Sequence, residues 1–247
     1  MKKDNWRVLY IISLLFISVA FYLIHYAIFR DSYHIFIYLI GDIAFLFVQL
    51  LLVTLILQKL LENREKEAML KKLNMVIGAF FSEIGISLLK LLAGKDPQAI
   101  KIKENLSVDS SWRKKDYQKA RQIIRGYTYS ADWSIEELNN LRMLLIGKRN
   151  FLLRLLENPN LLEHETFTEL LWAVFHLTEE LAARDNLSLL PESDLEHLKN
   201  DIKRVYASLI LQWLSYMEHL CTDYPFLFSF AMRTNPFKPD SKPEITG

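Results

Sequence analysis

Residues 35–57 of this chain read IFIYLIGDIAFLFVQLLLVTLIL, an apolar run broken only by Asp42 and Gln49. A second run, VLYIISLLFISVAFYLIHYAIF, occupies residues 8–29. Each is about 22 residues long, and at about 1.5 Å of rise per residue a helix of that length reaches roughly 33 Å, the thickness of a bilayer's hydrocarbon core. In lipid every backbone amide must be satisfied inside its own segment or within a closed barrel, and no barrel pattern accompanies these runs, so both predict transmembrane helices. Only Arg30 to His34 separates them, which predicts an antiparallel hairpin.

Orientation follows from the flanking charges. Lys2, Lys3 and Arg7 precede the first run, and Lys59, Arg64, Lys66, Lys71 and Lys72 follow the second, while the turn carries Arg30 alone. The positive-inside rule then places both termini in the cytoplasm of a multi-pass plasma (inner) membrane protein, with Trp6, Tyr10 and Tyr33 as interface anchors. A cleaved signal peptide ending near Ala20 is the competing reading, but the apolar run continues for nine residues beyond it without a polar interruption.

A carboxylate deep in a bilayer is costly, so Asp42 needs a partner. Counted from the outer ends, Asp42 and Tyr22 lie at similar depth on the antiparallel helices, with His25 and Tyr38 nearer the surface. These four residues form the predicted intramembrane polar cluster. One role is a hydrogen-bonded clasp that fixes the hairpin or an oligomer, with Gly41 and Ala44 permitting close helix approach. The other is a proton- or ion-responsive site, which in a two-helix protein would need several copies to enclose a path.

Beyond Leu57 the helix-forming composition continues, predicting a stalk and then a third apolar helix over 73–93, together residues 58–94. Gly78, Ser82 and Gly85 recur at four and three residues and predict a small-residue helix-packing face suited to a dimer seam or the membrane surface. A third crossing is the alternative, at the cost of burying Glu83. Residues 95–233 read as a cytoplasmic antiparallel helical bundle. Asp109 or Ser110 caps a helix running to Gly126. Ser134 and Glu137 form a capping box for a helix reaching Glu157. Glu163 to Arg184 is the next helix, and the heptad-like series from Leu195 to Leu220 follows Pro191. Phe226 to Met232 adds a short apolar helix, and residues 234–247 read as a disordered tail.

Composition narrows the function classes. The chain has 247 residues, 7 glycines, a net charge of +1 and a single cysteine, Cys221. A disulfide scaffold and a thiolate zinc cage are thereby excluded, and there is no overall attraction to nucleic acid. The charge is nevertheless segregated: Lys95 to Arg125 is basic and Glu157 to Asp201 acidic, so these helices either face one another or are solvated. The basic stretch also suits anionic lipid head groups. No phosphate-loop, dinucleotide, HExxH or GxSxG motif is present. His176 with Glu179 and Glu180, Asp194 with His197, and Glu218 with His219 recur at helical spacing. They lie off the apolar stripes, which predicts solvated flank residues and no metal site. No catalytic residue and no cofactor are predicted.

Three stretches, Tyr33 to Asp42, Lys72 to Glu83, and Tyr224 to Phe237, resemble a group of uncharacterised prokaryotic integral membrane proteins with an N-terminal transmembrane hairpin and an all-helical cytoplasmic domain. The resemblance implies a prokaryotic plasma membrane location and carries no activity. The expectation is therefore an all-α chain: hairpin over 1–57, stalk and apolar helix over 58–94, bundle over 95–233 and tail over 234–247. Its expected role is that of a non-enzymatic, membrane-anchored module that forms homo-oligomers and offers its bundle to a cytoplasmic protein partner. The alternatives are an oligomeric ion- or proton-responsive protein built on Asp42 and a membrane-bound enzyme with a metal in the bundle core.

Overall fold

The computed structural model describes residues 2–97, 102–129, 131–159, 161, 164–238 and 241–244, with side chains from Leu9 onward. Helix accounts for 83% of the fold, and no strand occurs among the described residues. The helices are α1 (Lys2–Phe29), α2 (Ser32–Phe80), a π turn (Phe81–Gly85), α3 (Ile86–Gly94), α4 (Lys114–Arg125), α5 (Ile135–Leu156), α6 (Glu165–Ala182), α7 (Glu192–Asp223) and α8 (Pro225–Arg233). They divide into two compact units, Met1–Lys66 and Glu67–Gly247.

The first unit comprises α1 and the front of α2. Both are long and apolar enough to cross a membrane, and the described side chains of these stretches are largely exposed. The turn between them is shorter than Arg30 to His34. Arg30 takes a left-handed φ of 50°, and the Asp31 carboxylate accepts from Tyr33 N at 2.9 Å and His34 N at 3.4 Å. A side-chain acceptor at the N-cap satisfies free amides of the first turn, so α2 opens at Ser32 instead of Ile35.

In the second unit the last turns of α2 are core. Leu73, Ile77, Phe80, Phe81, Ile84, Leu88, Leu89 and Leu92 are buried, so residues 73–93 belong to the helical domain and are neither a separate stalk helix nor a surface segment. The expected boundary after Gly94 therefore moves to Lys66. The π turn has a second consequence. A turn with i→i+5 bonds inserts a residue and rotates the face that follows it. Gly85 is consequently buried and Ser82 exposed, with Gly78 half-buried between them in exposure, and the three small residues do not share one packing face.

Helix α5 matches its expected construction. The Ser134 amide donates to Glu137 Oε2 at 2.9 Å and the Glu137 amide to Ser134 Oγ at 3.3 Å, and Leu138, Leu141, Leu145, Leu152 and Leu155 are buried. Helix α4 starts later than expected, at Lys114, because Asp109 accepts from Ser111 N and Oγ in a local turn and Asp116 accepts from Arg113 N at 2.7 Å. Helix α7 is the central element, packing on α3, α4, α6 and α8. Gln212, Trp213 and Leu214 are buried in succession, which is the signature of a helix surrounded on several sides and not of a two-stranded seam.

The segment after α8 is ordered where it is described. Asn235 and Phe237 are buried, and the Phe237 ring meets Trp213 edge-on at 5.1 Å. A disordered tail from Thr234 is therefore incorrect for these residues: one aromatic side chain filling a core pocket is enough to order the short segment carrying it. Residues 239–240 and 245–247 lie outside the described residues.

Candidate functional sites

In the first unit, Tyr22, His25, Tyr38 and Asp42 line one cleft of about 710 Å³, together with Ser18, Phe21, Ile28 and Ile35. All four residues of the predicted cluster are among its lining. Within one chain these four side chains are not hydrogen-bonded to one another among the described residues. Asp42 makes no hydrogen bond or ion pair among the described residues, and His25 Nε2 is buried without a partner. The imidazole instead stacks near Phe29, with ring centroids 4.7 Å apart, and Tyr38 packs near His34 at 5.1 Å.

Gly78, Ser82 and Gly85 occupy three different environments. A β-carbon on Gly78 would meet Tyr216 at an ordinary 3.8 Å, whereas one on Gly85 would lie 2.7 Å from the Phe81 ring. Gly85 is thus a close-approach residue inside the domain, which is a folding role.

The richest polar cluster joins α6 and α7. His176 and Glu180 stand one turn apart on α6, and His197 and Asp201 one turn apart on α7. Asp201 Oδ2 lies 3.3 Å from His176 Nε2 and 3.4 Å from His197 Nε2. Glu180 lies 3.8 Å from His176 Nε2 through Oε1 and 3.7 Å from His197 Nε2 through Oε2. The histidines are about half exposed, but the Asp201 side chain is only 3% exposed, and its Oδ2 has no hydrogen-bond donor. Arg184 organises the rim, donating to Glu180 Oε2 at 2.7 Å and to both oxygens of Asp194 at 2.8 and 2.6 Å. These bonds hold the Glu180 and Asp194 carboxyls below the usual carboxylate range and push the guanidinium higher still.

Of the flank positions read as solvated in the sequence, His176, Glu180 and His197 converge across an interhelical groove, and Arg184 holds Asp194 at its rim. Asp201 was missed because it sits at the end of an acid-rich stretch. The usable signal was the matched spacing, His176 four residues before Glu180 and His197 four before Asp201, on helices that a short connection makes antiparallel.

Several other charged side chains have structural partners. Arg121 of the basic α4 pairs with Glu218 of α7, Lys95 with Glu137, and Arg149 bidentately with Glu179, while Lys114, Lys115 and Arg125 stay exposed. Tyr127 is half-buried and Tyr129 and Tyr206 are buried, and loss of solvent is the first cause that pushes all three phenols up in pKa. Cys221 is half-buried on α7.

A two-domain helical protein without a recognised catalytic motif is the class these features define. Family models described as the N-terminal helical domain of MJ1433 and the C-terminal helical domain of uncharacterized protein MJ1433 match residues 2–61 and 69–233, and the chain belongs to that family. It is 45% identical over 237 residues to "Uncharacterized protein MJ1433" of Methanocaldococcus jannaschii, covering 96% of this chain and 95% of that protein. No solved structure matches the chain.

Proposed function

We propose that the protein is a membrane-anchored, non-enzymatic helical module: residues 1–66 hold it in a plasma membrane as a two-helix hairpin, and residues 67–247 form a cytoplasmic domain for protein interaction. The observation that carries this is the combination of hydropathy and exposure in the first unit. Leu9, Phe16, Phe21, Ile28, Phe36, Phe47, Leu51 and Ile56 are all more than half exposed. A soluble protein rarely leaves so continuous an apolar surface in water, and a bilayer covers it without further structure. The lysine- and arginine-rich ends favour the cytoplasmic side.

Self-association belongs to the same proposal. Open space surrounds the position where a β-carbon of Gly41 would stand, leaving room for a second helix beside Asp42. In the second unit Trp172, Phe226 and Phe230 are exposed, which supports a partner-binding role for that domain.

The test is topological. Full-length chain tagged after Gly247 should resist carbonate extraction from membranes, and the tag should be protected from protease added to intact cells while being digested after permeabilisation. A chain that stays soluble without detergent, or a tag cut on intact cells, refutes the proposal. Cross-linking in native membranes followed by affinity purification tests oligomer and partner together.

One observation favours a second reading, an oligomeric proton- or ion-responsive protein: Ser18, Tyr22, His25 and Tyr38, all titratable or hydroxyl-bearing, line the same cleft as Asp42. Asp42→Asn discriminates between the two. A structural carboxylate tolerates the amide, whereas a proton-linked response requires the acid and disappears with it.

A further inference from the structure

We propose that His176, Glu180, His197 and Asp201 form a four-ligand site for a divalent metal ion of the zinc class, clamping α6 to α7. The first argument is geometric. A tetrahedral ion with bonds of about 2.0–2.1 Å holds its ligand atoms roughly 3.3–3.4 Å apart. Asp201 Oδ2 already stands 3.3 and 3.4 Å from the two imidazole Nε2 atoms. Glu180 approaches the imidazoles through different oxygens, Oε1 at 3.8 Å from His176 and Oε2 at 3.7 Å from His197, so metal binding requires its carboxylate to turn until Oε1 faces both rings. The donor atoms of His176, Glu180 and His197 all lie within 4.8 Å of one another.

The second argument is burial. Asp201 Oδ2 is a buried carboxylate oxygen that receives no hydrogen bond, since Arg204 pairs with Oδ1, and a buried acceptor left without a donor is costly. It faces the two ring nitrogens, so a cation between them supplies the missing partner. The supporting contacts have the form expected around a metal: Arg184 fixes Glu180 through Oε2, and Arg204 Nη1 lies 3.2 Å from Asp201 Oδ1, leaving Glu180 Oε1 and Asp201 Oδ2 to ligate.

Two imidazoles with two carboxylates select a first-row transition ion over calcium or magnesium, which prefer all-oxygen sites. With four protein ligands the coordination sphere is closed, as in structural zinc sites, and no position is left for substrate. The site lies between helix flanks and not in the bundle core, and its assignment does not depend on how the first unit meets a membrane.

The test uses full-length protein in detergent, carrying no polyhistidine tag, stripped with chelator and then incubated with zinc before gel filtration. Elemental analysis should find one zinc per chain, and zinc should raise the melting temperature. His176→Gln with His197→Gln, whose side chains are half exposed, should keep the helical circular dichroism, lose stoichiometric zinc and lose the thermal shift. Cobalt(II) in the unmutated protein should give the intense visible bands of tetrahedral coordination, a readout that stands even if the double variant fails to fold. Absence of retained zinc, equal retention by the double variant, or a weak octahedral cobalt spectrum overturns the assignment.

Discussion

The side-chain amide of Asn235 donates to the backbone carbonyl of Leu106 at 3.0 Å, joining two segments 129 positions apart in the chain. Both residues are fully buried. Asn235 Oδ1 also accepts from the Phe237 amide at 2.9 Å, which turns the chain so that Phe237 enters the core against Trp213. The residues after α8 are in this way part of the fold of the second unit.

Asn235→Ala leaves the Leu106 carbonyl buried without its donor and should cost about 1–3 kcal/mol. Phe237→Ala opens a cavity beside Trp213 and should cost about 3–5 kcal/mol. Thermal unfolding of the detergent-solubilised chain measures both. Stability unchanged on removal of residues 234–247 would show that the segment is dispensable.

Gly85 and Gly78 should respond oppositely to alanine. At Gly85 the new methyl would lie 2.7 Å from Phe81 and 3.0 Å from Phe80. Those rings are held in turn by Tyr216, stacked on Phe81 at 4.9 Å, and Phe167, edge-on to Phe80 at 5.5 Å. Gly85→Ala should therefore destabilise by about 1–3 kcal/mol through overpacking. Gly78→Ala makes an ordinary contact and reduces the entropy lost by the helix, for a gain of about 0.5–1 kcal/mol. Equal melting shifts for the two variants would contradict the packing described for the π turn.

Glu137 links the start of α5 to Lys95, and its carboxyl is held below the usual range first by the hydrogen bond from Lys95 and then by that from the Ser134 amide. A carboxyl whose folded pKa lies below its unfolded value adds stability above about pH 4.3, and that stability is lost as pH falls through the lower folded value. Glu137→Gln should flatten this part of the acid limb in a series of melts between neutral and acid pH. Ser134→Ala should lower stability by about 1 kcal/mol at neutral pH, through loss of the cap. An acid limb identical in Glu137→Gln and the parent would show that the pair contributes nothing.

If the first unit is inserted in lipid as proposed, Asp42→Leu should insert at least as well as the parent, since a central carboxylate costs about 2.5–3.5 kcal/mol on insertion scales. Its effect should fall on helix association, read by cross-linking yield. Poorer membrane integration of Asp42→Leu would contradict that placement.

Much of this molecule is determined locally. The helical content, the two apolar helices, the Ser134–Glu137 capping box and the buried leucine stripe of α5 follow from side-chain chemistry within a few residues, because helix hydrogen bonds and caps join near neighbours. The convergence of Tyr22, His25, Tyr38 and Asp42 on one cleft also follows from counting along two antiparallel helices. Only the tertiary structure decided that residues 73–93 are core, that Gly85 and not Ser82 is the close-packed small residue, that Phe237 closes the domain, and that Asp201 stands between two histidines. Each depends on atoms far apart in the chain, on a one-residue π insertion that shifts the helical face, or on how the flanks of two helices meet, and local periodicity records none of these.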